Sequence, residues 1–131
     1  MDAYKTWMLK LLPEIFGATE SNYGYILDNG WSGILGTIDK LSASDASKGA
    51  RPGSETIASH LRHALYLMEL FEPYLRGESP QTDWPGSWRD QVVDEPAWQN
   101  LCEEVRKVYA KNLELVEKTE EWTEDAVSAS L

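Results

Sequence analysis

The chain predicts an all-α helical bundle, and three observations carry that prediction. The stretch Ser54 to Gly77, SETIASHLRHALYLMELFEPYLRG, spaces its apolar residues at helical period around most of a helix circumference. Two further segments, Leu27-Trp31-Ile34-Ile38-Leu41 and Trp98-Leu101-Val105-Val108-Asn112-Leu115, repeat in the three-four seam of helices packed lengthwise. No segment alternates apolar and polar residues for longer than a few positions, so no sheet is expected. With 131 residues the chain is long enough for one hydrophobic core and short for two, which makes residues 1–131 a single domain.

The elements follow in order. Residues 1–17 read as a short docking helix: Tyr4, Trp7, Met8, Leu11 and Ile15 share a face behind an Asp2 cap, Pro13 weakens the far end and Gly17 stops it. From Tyr23 to Leu41 the seam predicts a long helix, although Gly30, Gly33 and Gly36 each cost about 1 kcal/mol against alanine there and call for the close approach of a neighbour or ligand. Residues 42–54, SASDASKGARPGS, lack periodicity and read as a loop. In the next helix Glu55, Arg62, Glu69 and Arg76 recur every seven positions, drift only about 20° per step and form one water-facing charged stripe. The remaining arc, from Ile57 to Leu75, is wide enough to place this helix centrally.

Pro73 and Gly77 end that helix. Residues 78–93 form a linker in which Trp84 and Trp88 either cap the bundle or wall a pocket, capping being the commoner use of loop indoles. A third long helix starts at Asp94, with Glu95 and Pro96 in its first turn. Within its seam Asn112 is the odd member, read as fixing register or as bonding a neighbouring backbone. Residues 123–131, TEDAVSASL, read as the first turns of another helix, marginal unless docked.

Twelve basic against twenty-two acidic side chains leave a net charge of −10, which repels phosphate backbones and anionic lipid, so neither nucleic acid nor membrane is an expected partner. No apolar run approaches a membrane span, and the N-terminus lacks the pattern of a secretory signal. A lone Cys102 forms no internal disulfide and, spaced with Leu101, Val105 and Tyr109, reads as a buried packing thiol in a cytoplasmic protein.

Both histidines, His60 and His63, lie one turn apart on the apolar side of the central helix, where an imidazole needs a hydrogen-bond partner or a metal to offset desolvation. The bland reading is satisfaction by a neighbouring carbonyl, carboxylate or hydroxyl, with His60 as a half-exposed flank residue. Two imidazoles alone fall short of the three protein ligands of a catalytic zinc site.

The segment TIASHLRHALYLMELFEPYLRGE, preceded by GILGTIDKLSASDAS and followed by DWPGSW and VDEPAWQNL, resembles the DinB-like (DinB/YfiT) superfamily from about Trp31 onward. The resemblance implies an up-down four-helix bundle in which a second-helix histidine joins two from the last helix around a divalent ion, nickel or zinc. By motif position the match is His63, with His60 one turn earlier. The last-helix motif His-x-x-x-His has no counterpart among the two histidines of this sequence. The expectation is a bundle lacking most of its last helix, a metal site incomplete in this chain, and activity of the thiol-linked transferase or isomerase type with a small-molecule substrate. The competing expectations are a non-catalytic homodimerisation module, with Leu61, Met68, Trp98 and Val105 left uncovered, and a small-molecule pocket near His60, Gly33 and Gly36.

Overall fold

The computed structural model describes residues 3–16 and 33–122. Among them are the helices α1 (Ala3–Phe16), α2 (Ile34–Ile38), α3 (Ala43–Ala46), α4 (Ile57–Leu75) and α5 (Glu95–Lys118), with a 3-10 turn at Gly86–Trp88 in the connection from α4 to α5. The described residues are all-α; a single isolated bridge pairs Gly49 with Thr56.

The two long helices have clear local causes. Thr56 is extended and its hydroxyl accepts the Ser59 N–H, which starts α4. At the other end Gly77, with φ of 79°, lets its N–H reach the Tyr74 carbonyl at 2.9 Å and the Glu78 N–H reach Pro73 at 3.0 Å, the reciprocal C-terminal closure that glycine favours. Asp94 caps α5 through Ala97, and Pro96 occupies the first turn, where no N–H is required.

α4 packs mainly on α5, and the core lies between them. Trp98, Leu65, Leu101 and Val105 are fully buried, with Ala58, Leu61 and Cys102 beside them and Ile38, Ala43 and Ala46 closing one end. The Trp98 indole N–H donates to the Leu41 carbonyl at 3.0 Å, so the largest core side chain is also satisfied. Asn112 donates to the Met68 carbonyl at 2.8 Å, the register bond expected of it. α1 docks on α5 and α2; Phe16 stacks on Tyr109 with centroids 5.6 Å apart. Asp2 and Gly17 lie outside the described residues.

Four expectations change. Residues 23–32 lie outside the described part, but Gly33 is extended and precedes a helix of only five residues, so the helix expected from 23 to 41 does not run through it. Residues 42–54 are not wholly loop: Ser42 and Asp45 form a reciprocal capping box that nucleates α3, a signal present in the sequence as Ser-x-x-Asp. The long helices also depart from an up-down order. Arg62 meets Glu104, whereas Met68 and Glu72, farther along α4, meet Asn112 and Lys111, both farther along α5, so α4 and α5 run the same way. A parallel pair requires a returning connection. α4 is about 28 Å long at 1.5 Å per residue, and the linker runs back along it, Asp83 beside Tyr66, Trp88 beside His63 and Gln91 beside Thr56. Finally, Leu61, Trp98 and Val105 are buried within the chain's own core and Met68 is half-buried, so these seam residues are not left uncovered.

Candidate functional site

α4 presents His60, His63 and Tyr66 at successive three-residue steps, and the returning linker lays its two tryptophans over them. The Trp88 ring stacks on His63 with centroids 3.9 Å apart and planes at 12°, and meets His60 edge-on at 5.0 Å. Trp84 stands edge-to-face with Tyr66 at 5.5 Å and 6.4 Å from His63. Neither tryptophan caps the end of the bundle; both flank the histidines, and Trp84 remains 47% exposed. His63 is half-buried, whereas His60 is exposed, so of the two readings of His60 the structure favours the flank position over the apolar side. The reason is the partition of α4's wide apolar arc, part covered by α5 and part by the linker, with His60 at the linker's margin.

The linker is held by polar bonds whose residues carried no sequence signal. Asp83 donates its N–H to the Tyr66 hydroxyl at 2.8 Å, and its carboxylate accepts the Gly86 N–H at 3.1 Å. A Cβ at position 86 would fall onto that carboxylate, so the Asp83–Gly86 bond is made with the close approach that glycine allows. This turn brings in Ser87, 4% exposed, whose hydroxyl lies 2.8 Å from His63 Nδ1 and 2.6 Å from the Trp84 carbonyl. Farther along, Gln91 Oε1 accepts the Thr56 N–H at 3.0 Å while Gln91 Nε2 donates to Ser59 Oγ and the Trp88 carbonyl, each at 3.0 Å, and to Glu55. Ser59, fully buried, donates to the Trp88 carbonyl at 2.6 Å.

Asp90 is the one non-glycine residue with positive φ, 64°, among those described. Asp tolerates that conformation, and here it delivers the carboxylate to Arg62 Nε at 2.8 Å; Glu104 of α5 takes Arg62 Nη1 at 3.1 Å. Arg62 therefore ties helix, linker and α5 together and leaves the expected water-facing stripe, in which Glu69 and Arg76 do stay exposed and Glu55 precedes the helix.

Other expectations resolve as follows. Gly36 belongs to α2, which packs on α1 and α5 rather than on α4, so the pocket expected near His60, Gly33 and Gly36 is not assembled. Cys102 is 2% exposed and burial pushes its thiol up to about 11, far from a reactive thiolate. Among the described residues no group of three or more His, Cys, Asp or Glu side chains stands together in a metal-holding arrangement. His60 and His63 are two imidazoles, fewer than the three protein ligands of a catalytic zinc site. No described helix is long and apolar enough to cross a membrane.

The chain matches no family model, no curated protein and no solved structure, so its functional reading rests on this His60–His63–Trp88–Ser87 arrangement and on the sequence motifs that build it.

Proposed function

We propose that the chain is a DinB-like helical-bundle domain, cytoplasmic, whose α4 histidines contribute part of a nickel or zinc site serving a thiol-linked transferase or isomerase reaction on a small molecule. The observation that carries the reading is His63 itself: a half-buried imidazole clamped in one orientation by the Trp88 ring and the Ser87 hydroxyl, with His60 one turn away. This imidazole has its ring plane held by the Trp88 stack and one nitrogen by the Ser87 hydroxyl, both from a segment that returns along α4, as metal-ligating histidines are fixed by their outer partners. A bound divalent ion would supply Lewis acidity to a thiol or water. The chain's own contribution is to orient His63 and to screen one face of its ring from solvent with Trp88. Among the described residues no third His, Cys, Asp or Glu stands with these two in a metal-holding group.

Calorimetric titration with nickel and with zinc tests this. Two imidazoles support only weak binding, expected to vanish in His63→Ala and to weaken in His60→Ala; binding unchanged by His63→Ala overturns the reading. The competing reading is a homodimerisation module, favoured by the exposed apolar side chains Trp84, Leu67, Ile57 and Val92. Sedimentation velocity distinguishes them, since a dimer broken by Trp84→Ser and Leu67→Ser with no metal binding supports the second alone.

A further inference from the structure

We propose that Ser87 is a positioning residue that holds His63 in the Nδ1–H tautomer, leaving Nε2 as the lone-pair nitrogen with which His63 accepts a borderline divalent ion such as zinc. A serine hydroxyl has one proton to donate and lone pairs to accept with. Ser87 Oγ lies 2.6 Å from the Trp84 carbonyl, a separation that is favourable for O–H···O and repulsive between two oxygens with no proton between them. The proton therefore goes to Trp84. With Ser87 only 4% exposed, water does not offer the hydroxyl an alternative partner. The remaining contact, 2.8 Å to His63 Nδ1, must then have the imidazole as donor and Ser87 as acceptor. The opposite assignment would set two lone pairs against each other at the carbonyl and lose a buried hydrogen bond.

The surroundings fix both partners. Ser87 N–H is held by the Asp83 and Trp84 carbonyls at 3.1 and 3.2 Å, so the hydroxyl is delivered by a defined turn. The parallel stacking of Trp88 on His63, 12° between planes, resists rotation of the ring away from Ser87. A solvated imidazole prefers the Nε2–H form; here the network selects the other. That selection stands on hydrogen bonding alone, whereas the use of Nε2 for a metal ion rests on the proposed function.

The test is long-range nitrogen–proton correlation NMR on the 15N-labelled chain, free of metal, recorded on the neutral ring with His60 as an internal reference. The expected result for His63 is a protonated, pyrrole-type Nδ1 and a pyridine-type Nε2. Ser87→Ala should move His63 toward the Nε2–H pattern of a solvated ring, and Ser87→Thr, which keeps the hydroxyl, should restore the native pattern. An Nε2–H pattern in the native chain overturns the inference without any variant, as does an unchanged pattern in a folded Ser87→Ala. Adding zinc alone should shift Nε2 and leave Nδ1 protonated; zinc carried on Nδ1 overturns the assignment. No zinc response, with the Nδ1–H pattern intact, supports the positioning by Ser87 and counts against the metal reading instead.

Discussion

Replacing Ser59 and Gln91, singly and together, tests whether the returning linker is latched to α4 through one small polar cluster. In Ser59→Ala the hydroxyl that donates to the Trp88 carbonyl at 2.6 Å is lost, but Gln91 Nε2 still reaches that carbonyl at 3.0 Å, so no buried group is orphaned. The expected cost is the ordinary net value of a hydrogen bond, about 1 kcal/mol. Gln91→Ala differs in kind. It strips the Thr56 N–H, part-buried at the start of α4, of its acceptor at 3.0 Å and removes the part-buried bonds to Ser59 and Trp88 together with the exposed one to Glu55. An unsatisfied donor at about 1–3 kcal/mol plus about 1 kcal/mol for each of the bonds to Ser59 and Trp88 gives about 3–5 kcal/mol in total. Because each single variant leaves the Trp88 carbonyl one of these two donors and the double variant leaves it neither, the double variant should cost more than the sum by about 1 kcal/mol. Urea unfolding followed by circular dichroism reads all three, with stability taken from the midpoint at unchanged slope. A Gln91→Ala cost no greater than that of Ser59→Ala, or strict additivity in the double variant, would refute the latch.

Three other outcomes are expected. Gly86→Ala forces the Asp83 carboxylate to swing away and lose its bond to the residue-86 N–H, costing about 1 kcal/mol and changing the near-ultraviolet dichroism of Trp84 and Trp88; a native spectrum at native stability contradicts the close approach. Burial raises the Cys102 thiol from 9.0 to about 11, so its contribution to stability is complete below pH about 9 and is lost as pH rises toward about 11, because only the unfolded thiol ionises in that window. Cys102→Ala should flatten that alkaline decline, and native Cys102 should react with a thiol reagent only on unfolding. For the metal reading, His63→Ala removes the calorimetric signal of nickel and zinc.

The sequence alone settles what local chemistry controls: helix periods and the caps at Asp94 and Gly77 depend on residues within a few turns of each other, and the polar Asn112 and the lone Cys102 in an apolar seam mark a buried face without naming what covers it. The capping box of Ser42 and Asp45 was equally local and legible, though it reads as loop when periodicity alone is weighed. The seam through Gly33 shows the converse limit, since an apolar pattern marks a face but not whether the backbone between its members stays helical. Only the tertiary structure decided the direction of α5 against α4, because that depends on how a connection without a periodic pattern folds, and the linker carries no apolar repeat to announce that it returns along α4. The same fact decided the site. The positions of His60 and His63 on one helix were readable, but which imidazole is clamped and which stays exposed depends on where Trp88, Ser87 and Gln91 land from more than twenty residues away. Hydrogen bonds between such distant partners leave no mark in composition or spacing, since each is satisfied only once the backbone has brought the pair within about 3 Å.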